Sequence, residues 1–383
     1  NEKILKFKKY KMIDYNIIKY LFVSPLLLFN LTNYIIRIFC FIFILKAIFF
    51  KNKIKLNKRK RDIEFYILIP IYNEEKNLEK LIKNLVIHDK INYIMINDCS
   101  SDKSVNVLNK YKKEYNFKII NRIYKRGFVS GVLNDSIKFI NKTKKSSGTY
   151  IGVVNADSYL KKETIKNIYS FLSEYDLDIL NFKNVPILNN NNFINTIESF
   201  EKNFKNKLSE NIEVSLNNGY LIKYKYLDLV NFWNEKEITE DLNLTIKLKQ
   251  LNCNFYQSNF KIYDNLPKNI ISLFNQKYRW IKGDLKNRIR YYPRDFFELI
   301  VNIYYLFPLY FLIYLFLNLF INFDFNKIII TQFIISFVEI SLYFIFTNTF
   351  NLNLIFYAIY QLSLKLFFYI RYFINLLEDD KWY

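Results

Sequence analysis

The sequence predicts an α/β domain built on a mostly parallel sheet, carried between transmembrane α-helices. Three observations point there. Short apolar runs of strand type alternate with helical patterns between residues 65 and 182. Long apolar stretches fill 17–50 and three later segments, about 297–321, 328–348 and 353–377. Lys and Arg gather where these two materials meet.

Composition narrows the class. The chain has 383 residues, 56 Lys plus Arg against 35 Asp plus Glu, and a net charge of +21. Half of it is apolar, which excludes general disorder. Gly and Pro number 6 each, where average usage would give about 27 Gly, so collagen-like and linker-like readings fall away. Cys40, Cys99 and Cys253 lie far apart and form no disulfide framework or paired-cysteine metal site. His88 is the single histidine, which excludes a histidine-cluster metal centre.

The flanks come first in the chain. A helix needs about 20 apolar residues to cross a bilayer. The three carboxyl-terminal stretches reach that length, and so does the stretch from about Leu28 to Phe50 despite Arg37. Buried core helices are the bland alternative, and repeated runs of this length argue against it. Basic residues follow the first run (Lys51, Lys53, Lys55, Lys58–Arg61) and precede the second region (Lys277–Arg294). The positive-inside rule then places 51–295 in the cytoplasm. The expected plan is an amino-terminal anchor over 1–50 (one span or a hairpin), a cytoplasmic domain over 51–295, and about three spans over 296–383. The charge sits at the membrane edges, so lipid headgroups rather than nucleic acid are the expected anionic partner. Gln361 and Lys365 fall inside the last stretch, where polar groups face a protein interior or a water-filled path. Four or five spans are few for a channel, so a homodimer or an accessory subunit is a further expectation.

The middle segment reads element by element. Phe65–Ile71 is a continuous apolar run of buried-strand type. Asn73 stands at a helix start, and Leu78, Leu81, Ile82 and Leu85 follow at helical spacing. Tyr93–Asn97 is a second strand, ending in the polar turn Asp98–Asp102. Phe117–Asn121 is a third, followed by a helix over Val129–Phe139. Tyr150–Val154 is a fourth, ending in Asn155-Ala-Asp157, and Leu177–Phe182 a fifth. In such folds ligands bind at the carboxyl ends of the strands. Asp98 and Asp157 would both reach that crevice, whereas Asp102 reads as a helix cap.

These residues carry a resemblance. Pro70-Ile-Tyr-Asn-Glu74 and Asn97-Asp-Cys-Ser-Ser-Asp102 resemble the opening of family 2 glycosyltransferases. Gly127–Asn134, Asn155-Ala-Asp157, Asn218–Lys223, Thr239-Glu-Asp241 and Gln276-Lys-Tyr-Arg-Trp280 follow in that family's order. The last two resemble its TED and QxxRW motifs, and the similarity spans roughly 64–283. QxxRW before apolar helices is similar to the membrane-bound branch that includes cellulose, hyaluronan, chitin-oligosaccharide and poly-N-acetylglucosamine synthases.

The resemblance implies a GT-A (Rossmann-like) domain and a nucleotide-sugar donor, with a carbohydrate or lipid-linked acceptor. It implies Asp241, with Glu240, as the catalytic base region, and Asp157 as ligand to Mg²⁺ or Mn²⁺. Donor contacts fall on Pro70, Tyr72, Glu74, Asp98, Asn134, Asn155 and Arg279. Acceptor contacts fall on Asn218, Gly219, Gln276 and Trp280. For Asp241 the bland alternative is a helix-start carboxylate, and for Trp280 an interfacial anchor. Four positions depart from the family pattern: Asn97, Cys99, Val129 and Asn155 stand where Asp, Gly, Lys and Asp are usual. Lys125 and Arg126 are the nearby cations that could substitute for the missing lysine.

The expected function is inverting sugar transfer onto a growing polysaccharide at the cytoplasmic membrane face. Transfer of one sugar to a polyprenyl phosphate or other lipid is the alternative, and noncatalytic nucleotide-sugar binding is a second.

Overall fold

The computed structural model describes Leu56 and residues 58–141, 148–188, 193–209, 215–267 and 269–291. The expected membrane segments at 1–50 and 296–383 lie outside the described residues. Among the described residues no helix is long and apolar enough to cross a membrane.

A twisted eight-stranded sheet forms the centre. In chain order its strands are β1 (Glu64–Ile71), β2 (Ile91–Asn97), β3 (Lys118–Asn121), β4 (Thr149–Val153), β5 (Ser158–Leu160), β6 (Ile179–Pro186), β7 (Tyr220–Lys223) and β8 (Phe255–Asp264). The spatial order is β3-β2-β1-β4-β7-β6-β8-β5. The first four are parallel, as the alternation of strand and helix predicts. The second half is mixed. β7 inserts between β4 and β6 and runs antiparallel to both. The strand expected at 177–182 therefore forms at 179–186, but it does not pair with β4. All four residues of β7 are buried, which favours a central position for so short a segment.

Helices cover both faces. They are α1 (Glu75–Lys83), α2 (Ser104–Tyr115), α3 (Phe128–Ile140), α4 (Lys162–Glu174), α5 (Phe193–Ser209), α6 (Tyr224–Leu229), α7 (Glu240–Gln250) and α8 (Ile270–Tyr291). Strand side chains alternate between faces, and β1 shows the consequence. Phe65, Ile67, Ile69 and Ile71 join one core with Leu78, Leu81 and Ile82 of α1 and Leu108 of α2. Leu68 points the other way, into a second core with Leu133 and Ile137 of α3 and Leu244 and Leu248 of α7. Burial on both sides explains why β1 reads as an unbroken apolar run.

The loops at the carboxyl ends of β1 and β2 are stitched together. Asn73 Oδ1 accepts from the Ser101 amide at 2.8 Å, and the Asn73 amide donates to Ser100 Oγ at 3.1 Å. Asp102 accepts from the Ser104 amide at 2.9 Å and the Glu75 amide at 3.1 Å, so it acts as a cap, as expected. Asn97 uses both ends of its amide: Nδ2 donates to Asn121 at 3.1 Å and Oδ1 accepts from the Ser100 amide at 3.1 Å. A carboxylate could not make the first of these bonds, which accounts for Asn97 at a position where the family pattern has Asp. Cys99 adopts a left-handed φ of 56°, the conformation that a glycine takes at no steric cost, and its thiol donates to the Arg122 carbonyl at 3.3 Å.

Gly219 sits where the loop before β7 crosses the sheet. Its φ is 88°, and a Cβ there would lie 2.7 Å from Phe182 and 2.8 Å from Ile262. Gly219→Ala is expected to lower stability by about 1–3 kcal/mol, through strain and overpacking together. Thermal unfolding of the parent and the variant measures it.

Candidate functional site

The site is built at the carboxyl ends of β1, β2 and β4, as the parallel half of the sheet dictates. On one side Asp98 follows β2. Its Oδ1 accepts from Arg122 Nη1 at 2.5 Å, and Arg122 Nε donates to Asp135 at 3.0 Å. The Arg122 side chain is only 3% exposed, so two carboxylates hold it rigidly. Tyr72 stands beside this pair at the protein surface, with Lys125 Nζ 3.4 Å from its ring centre. Arg126, by contrast, is committed to Glu235 at 2.6 Å and to Asp135. Of the two cations near Val129, only Lys125 borders the crevice at Tyr72. The Asn134 side-chain amide donates to the Trp233 carbonyl at 2.9 Å and to Glu235 at 3.1 Å. It anchors α3 to the segment before α7.

The segment after β4 forms the floor. Asp157 accepts from Ser158 Oγ at 3.1 Å. Burial, then the nearby charges of Asp264 and Glu74, push its carboxyl up to about 7. Asn155 is exposed, and its amide donates to Asn218 Oδ1 at 3.1 Å. Asn218 Nδ2 reaches Ser158 Oγ at 2.5 Å and Asp264 at 3.0 Å. The predicted donor and acceptor loops therefore meet through Asn155 and Asn218. Asp264, which sequence reasoning did not single out, joins them and pairs with Lys202 of α5. Glu74 Oε2 accepts from Asn77 Nδ2 at 2.6 Å and leaves its charge facing Asp157.

This floor has the chemistry of a cation site. Among the described residues no three His, Cys, Asp or Glu side chains are grouped to hold an ion by themselves. An ion that keeps water and diphosphate oxygens needs only one or two carboxylates. Asp157, crowded by like charge and relieved by a cation, fits that requirement.

Glu240 and Asp241 open α7. Burial and the Asp241 charge push Glu240 up to about 8, opposed by Arg279. Burial raises Asp241 too, opposed by the Leu242 amide, which donates to Asp241 Oδ1 at 2.8 Å, and by Arg279 and Lys205. The Leu242 amide, Arg279 and Lys205 all favour the ionised form of Asp241. An ionised carboxylate with a raised affinity for protons is a suitable general base.

Helix α8 carries the QxxRW residues. Arg279 supplies the positive charge beside both carboxylates. Trp280 lies between two ammonium groups, Lys277 Nζ at 4.8 Å and Lys205 Nζ at 5.6 Å from its ring. Lys277 is itself buried and bonded to Glu198 at 2.9 Å and Glu201 at 2.8 Å of α5. Gln276 sits one turn before Trp280, partly buried. Pro70 is partly buried near the end of β1, in register with Ile96. Besides Asp264, the residues that sequence reasoning missed are Arg122, Gly283 and Asn287. A signal for the last two exists: Arg279, Gly283 and Asn287 recur at intervals of four, on one face of a helix.

The chain belongs to the glycosyl transferase family group 2, whose sequence model matches residues 150–368. The family 2 glycosyl transferase model matches residues 66–226. Among relatives, a β-monoglucosyldiacylglycerol synthase of Nostoc sp. is 25% identical over 254 residues, 59% of this chain and 50% of that protein. The poly(ribitol-phosphate) β-N-acetylglucosaminyltransferase TarS of Staphylococcus aureus is 26% identical over 125 residues, 32% of this chain and 21% of TarS. The chain thus spans about half or less of the length of these relatives. In structure it is similar to the mannosyltransferase PcManGT of Pyrobaculum calidifontis, solved with GDP-Man and Mn²⁺. The TM-score is 0.53 at 11% identity, covering 74% of this chain and 80% of that one, and this establishes a GT-A-like fold.

The carboxylate pair has a stability consequence. Between the unfolded glutamate range, about 4.3, and the raised folded value, the folded state keeps a proton that the unfolded chain releases. Stability therefore falls as pH rises through that window. Glu240→Gln removes the penalty. It is expected to unfold at a higher temperature than the parent at pH 8, with the difference fading toward pH 4–5. Thermal unfolding at several pH values checks both the sign and the window.

Proposed function

We propose that this chain transfers a sugar from a nucleotide-sugar, a UDP-sugar in the first instance, to an acceptor hydroxyl with inversion at the anomeric carbon. The observation that carries the reading is the ionisable pair Glu240–Asp241 beside Arg279, in a domain that carries Asp98 after β2 and Asp157 after β4. Asp98, fixed by Arg122, accepts hydrogen bonds from the edge of the base, and Tyr72 offers a ring against its face. Asp157, with the neighbouring Asn155, would hold Mg²⁺ or Mn²⁺. That ion neutralises charge on the departing diphosphate when bound. Asp241 takes the proton of the acceptor hydroxyl as its oxygen forms the new bond to the anomeric carbon. The bond to the diphosphate breaks on the opposite face. Arg279 keeps Asp241 ionised until that moment. Asn218, Gly219, Gln276 and Trp280 shape the acceptor side.

The acceptor we propose is a growing polysaccharide. The transferase domain then lies at the cytoplasmic face of a multi-pass membrane protein. The basic residues on both flanks support this placement, as does a family match that continues through the apolar stretches to residue 368. Homodimerisation or an accessory subunit would complete an exit path. A second reading, one sugar moved to a lipid, is favoured by the longer match to a β-monoglucosyldiacylglycerol synthase than to TarS. Product length separates the two: polymer against a single glycolipid.

The test is incubation of membranes holding the full chain with labelled nucleotide-sugars and Mg²⁺ or Mn²⁺. Asp241→Asn is expected to lower transfer by about a thousandfold or more while UDP binding persists, because an amide cannot accept the hydroxyl proton. Asp157→Ala should remove the metal dependence of donor binding, and chelation should silence the parent. Transfer by Asp241→Asn near the parent rate would refute the assignment of the base.

A further inference from the structure

Asn287 is fully buried on α8, two turns beyond Arg279, in a place where a buried amide needs a reason. Its bonds supply one. Nδ2 donates to Thr239 Oγ1 at 2.9 Å and to the Gly283 carbonyl at 3.1 Å. Oδ1 accepts from Asn243 Nδ2 at 2.9 Å. Thr239 and Asn243 bracket Glu240 and Asp241, one just before α7 and one in its first turn. Thr239 does not cap α7 with its hydroxyl, which is turned to Asn287 instead. Gly283 lets the two segments approach: a Cβ there would lie 2.5 Å from the Thr239 side chain. Lys286 Nζ adds a bond to the Lys236 carbonyl at 3.4 Å, and Arg290 pairs with buried Glu237.

We infer that Asn287 is a positioning residue for the base, fixing the first turn of α7 so that Asp241 is held at the acceptor. The inference rests on the functional reading above. The need is physical. Two adjacent carboxyl groups withdrawn from water are costly to hold in place, and the helix start that carries them is the least constrained part of a helix. Arg279 offsets the charge. The amide fixes the angle, because its donors and its acceptor are engaged on three different groups. Loss of that bond lets α7 turn at its first residues, and a displacement of about 1 Å at the base costs roughly a hundredfold in rate.

The experiment compares kcat, KM for the donor, and UDP affinity in the full chain. Asn287→Ala is expected to lower kcat by about 10- to 100-fold with donor KM and UDP affinity within about twofold of the parent. Thr239→Val keeps the shape of the partner but removes its oxygen, and should reproduce the loss. Thr239→Ser, which keeps the hydroxyl, should lose less. The double variant Asn287→Ala/Thr239→Val should be no slower than the slower single variant, since both remove the same bond. Retained UDP affinity shows that a slow variant is still folded. A parent that turns over alongside an equally fast Asn287→Ala overturns the inference alone. So do additive losses in the double variant, or a loss of UDP affinity that matches the loss of kcat. A parent that turns over no donor overturns the functional reading, and this inference with it.

Discussion

Burial of two adjacent carboxyl groups, Glu240 and Asp241, is the constraint around which the junction of α7 and α8 is arranged. Two neighbouring carboxylates in a crevice cost folding free energy, and nothing about a stable core requires them. The surrounding structure is best understood as what makes them tolerable. The start of α7 directs an amide at Asp241, Arg279 supplies the opposite charge, and Gly283 brings α8 within contact distance. Further along α8, Lys277 is sunk between Glu198 and Glu201, which fixes this helix to α5 as firmly as Asn287 fixes it to α7. Each tie is modest by itself; in combination they leave α8 little freedom relative to the base.

The donor side uses a different device. There the charged groups are paired in advance rather than left under strain. Arg122 is shared by Asp98 and Asp135, and Arg126 by Asp135 and Glu235. Such a network contributes little net stability, because desolvation offsets much of the attraction. What it contributes is placement: Asp98 presents one oxygen in a fixed direction. Asp157 lies between these two regimes. Its neighbours are partly neutralised, Asp264 by Lys202, yet Asp157 itself keeps a surplus of negative charge about it.

Much of this was legible in the sequence, and the exceptions have physical causes. The parallel half of the sheet announced itself because β1, β2 and β4 are buried on both faces and read as apolar runs. β7 did not, since four residues give too little period to detect. Asp98, Asp157 and Asp241 stood out because carboxylates after strands, or at a helix start, fall here in a recognisable order. Asn134 stood out from that order alone, and its amide holds Trp233 and Glu235. Asn287 was missed because an asparagine in a basic amphipathic helix looks like surface. Only the contacts of its neighbours, 44 and 48 residues earlier in the chain, reveal its burial. Asn97 and Cys99 looked like losses against the family pattern; the hydrogen bonds of Asn97 and the thiol contact of Cys99 give each a role in the turn.

The insertion of β7 between β4 and β6 carries a consequence for how the chain is made. β1, β2, β3 and β4 can pair with one another once residue 153 has left the ribosome. β4 then presents an open edge, because its second partner, β7, begins at Tyr220, and β6 waits in turn for β8, which ends at Asp264. Pairings over such distances close slowly. At ordinary synthesis rates of about 5–20 residues per second, the parallel half exists for several seconds with that edge exposed. Completion of the sheet and docking of α8 are therefore late events in the birth of the protein, and the part that carries α7 and α8 is the last of the domain to form.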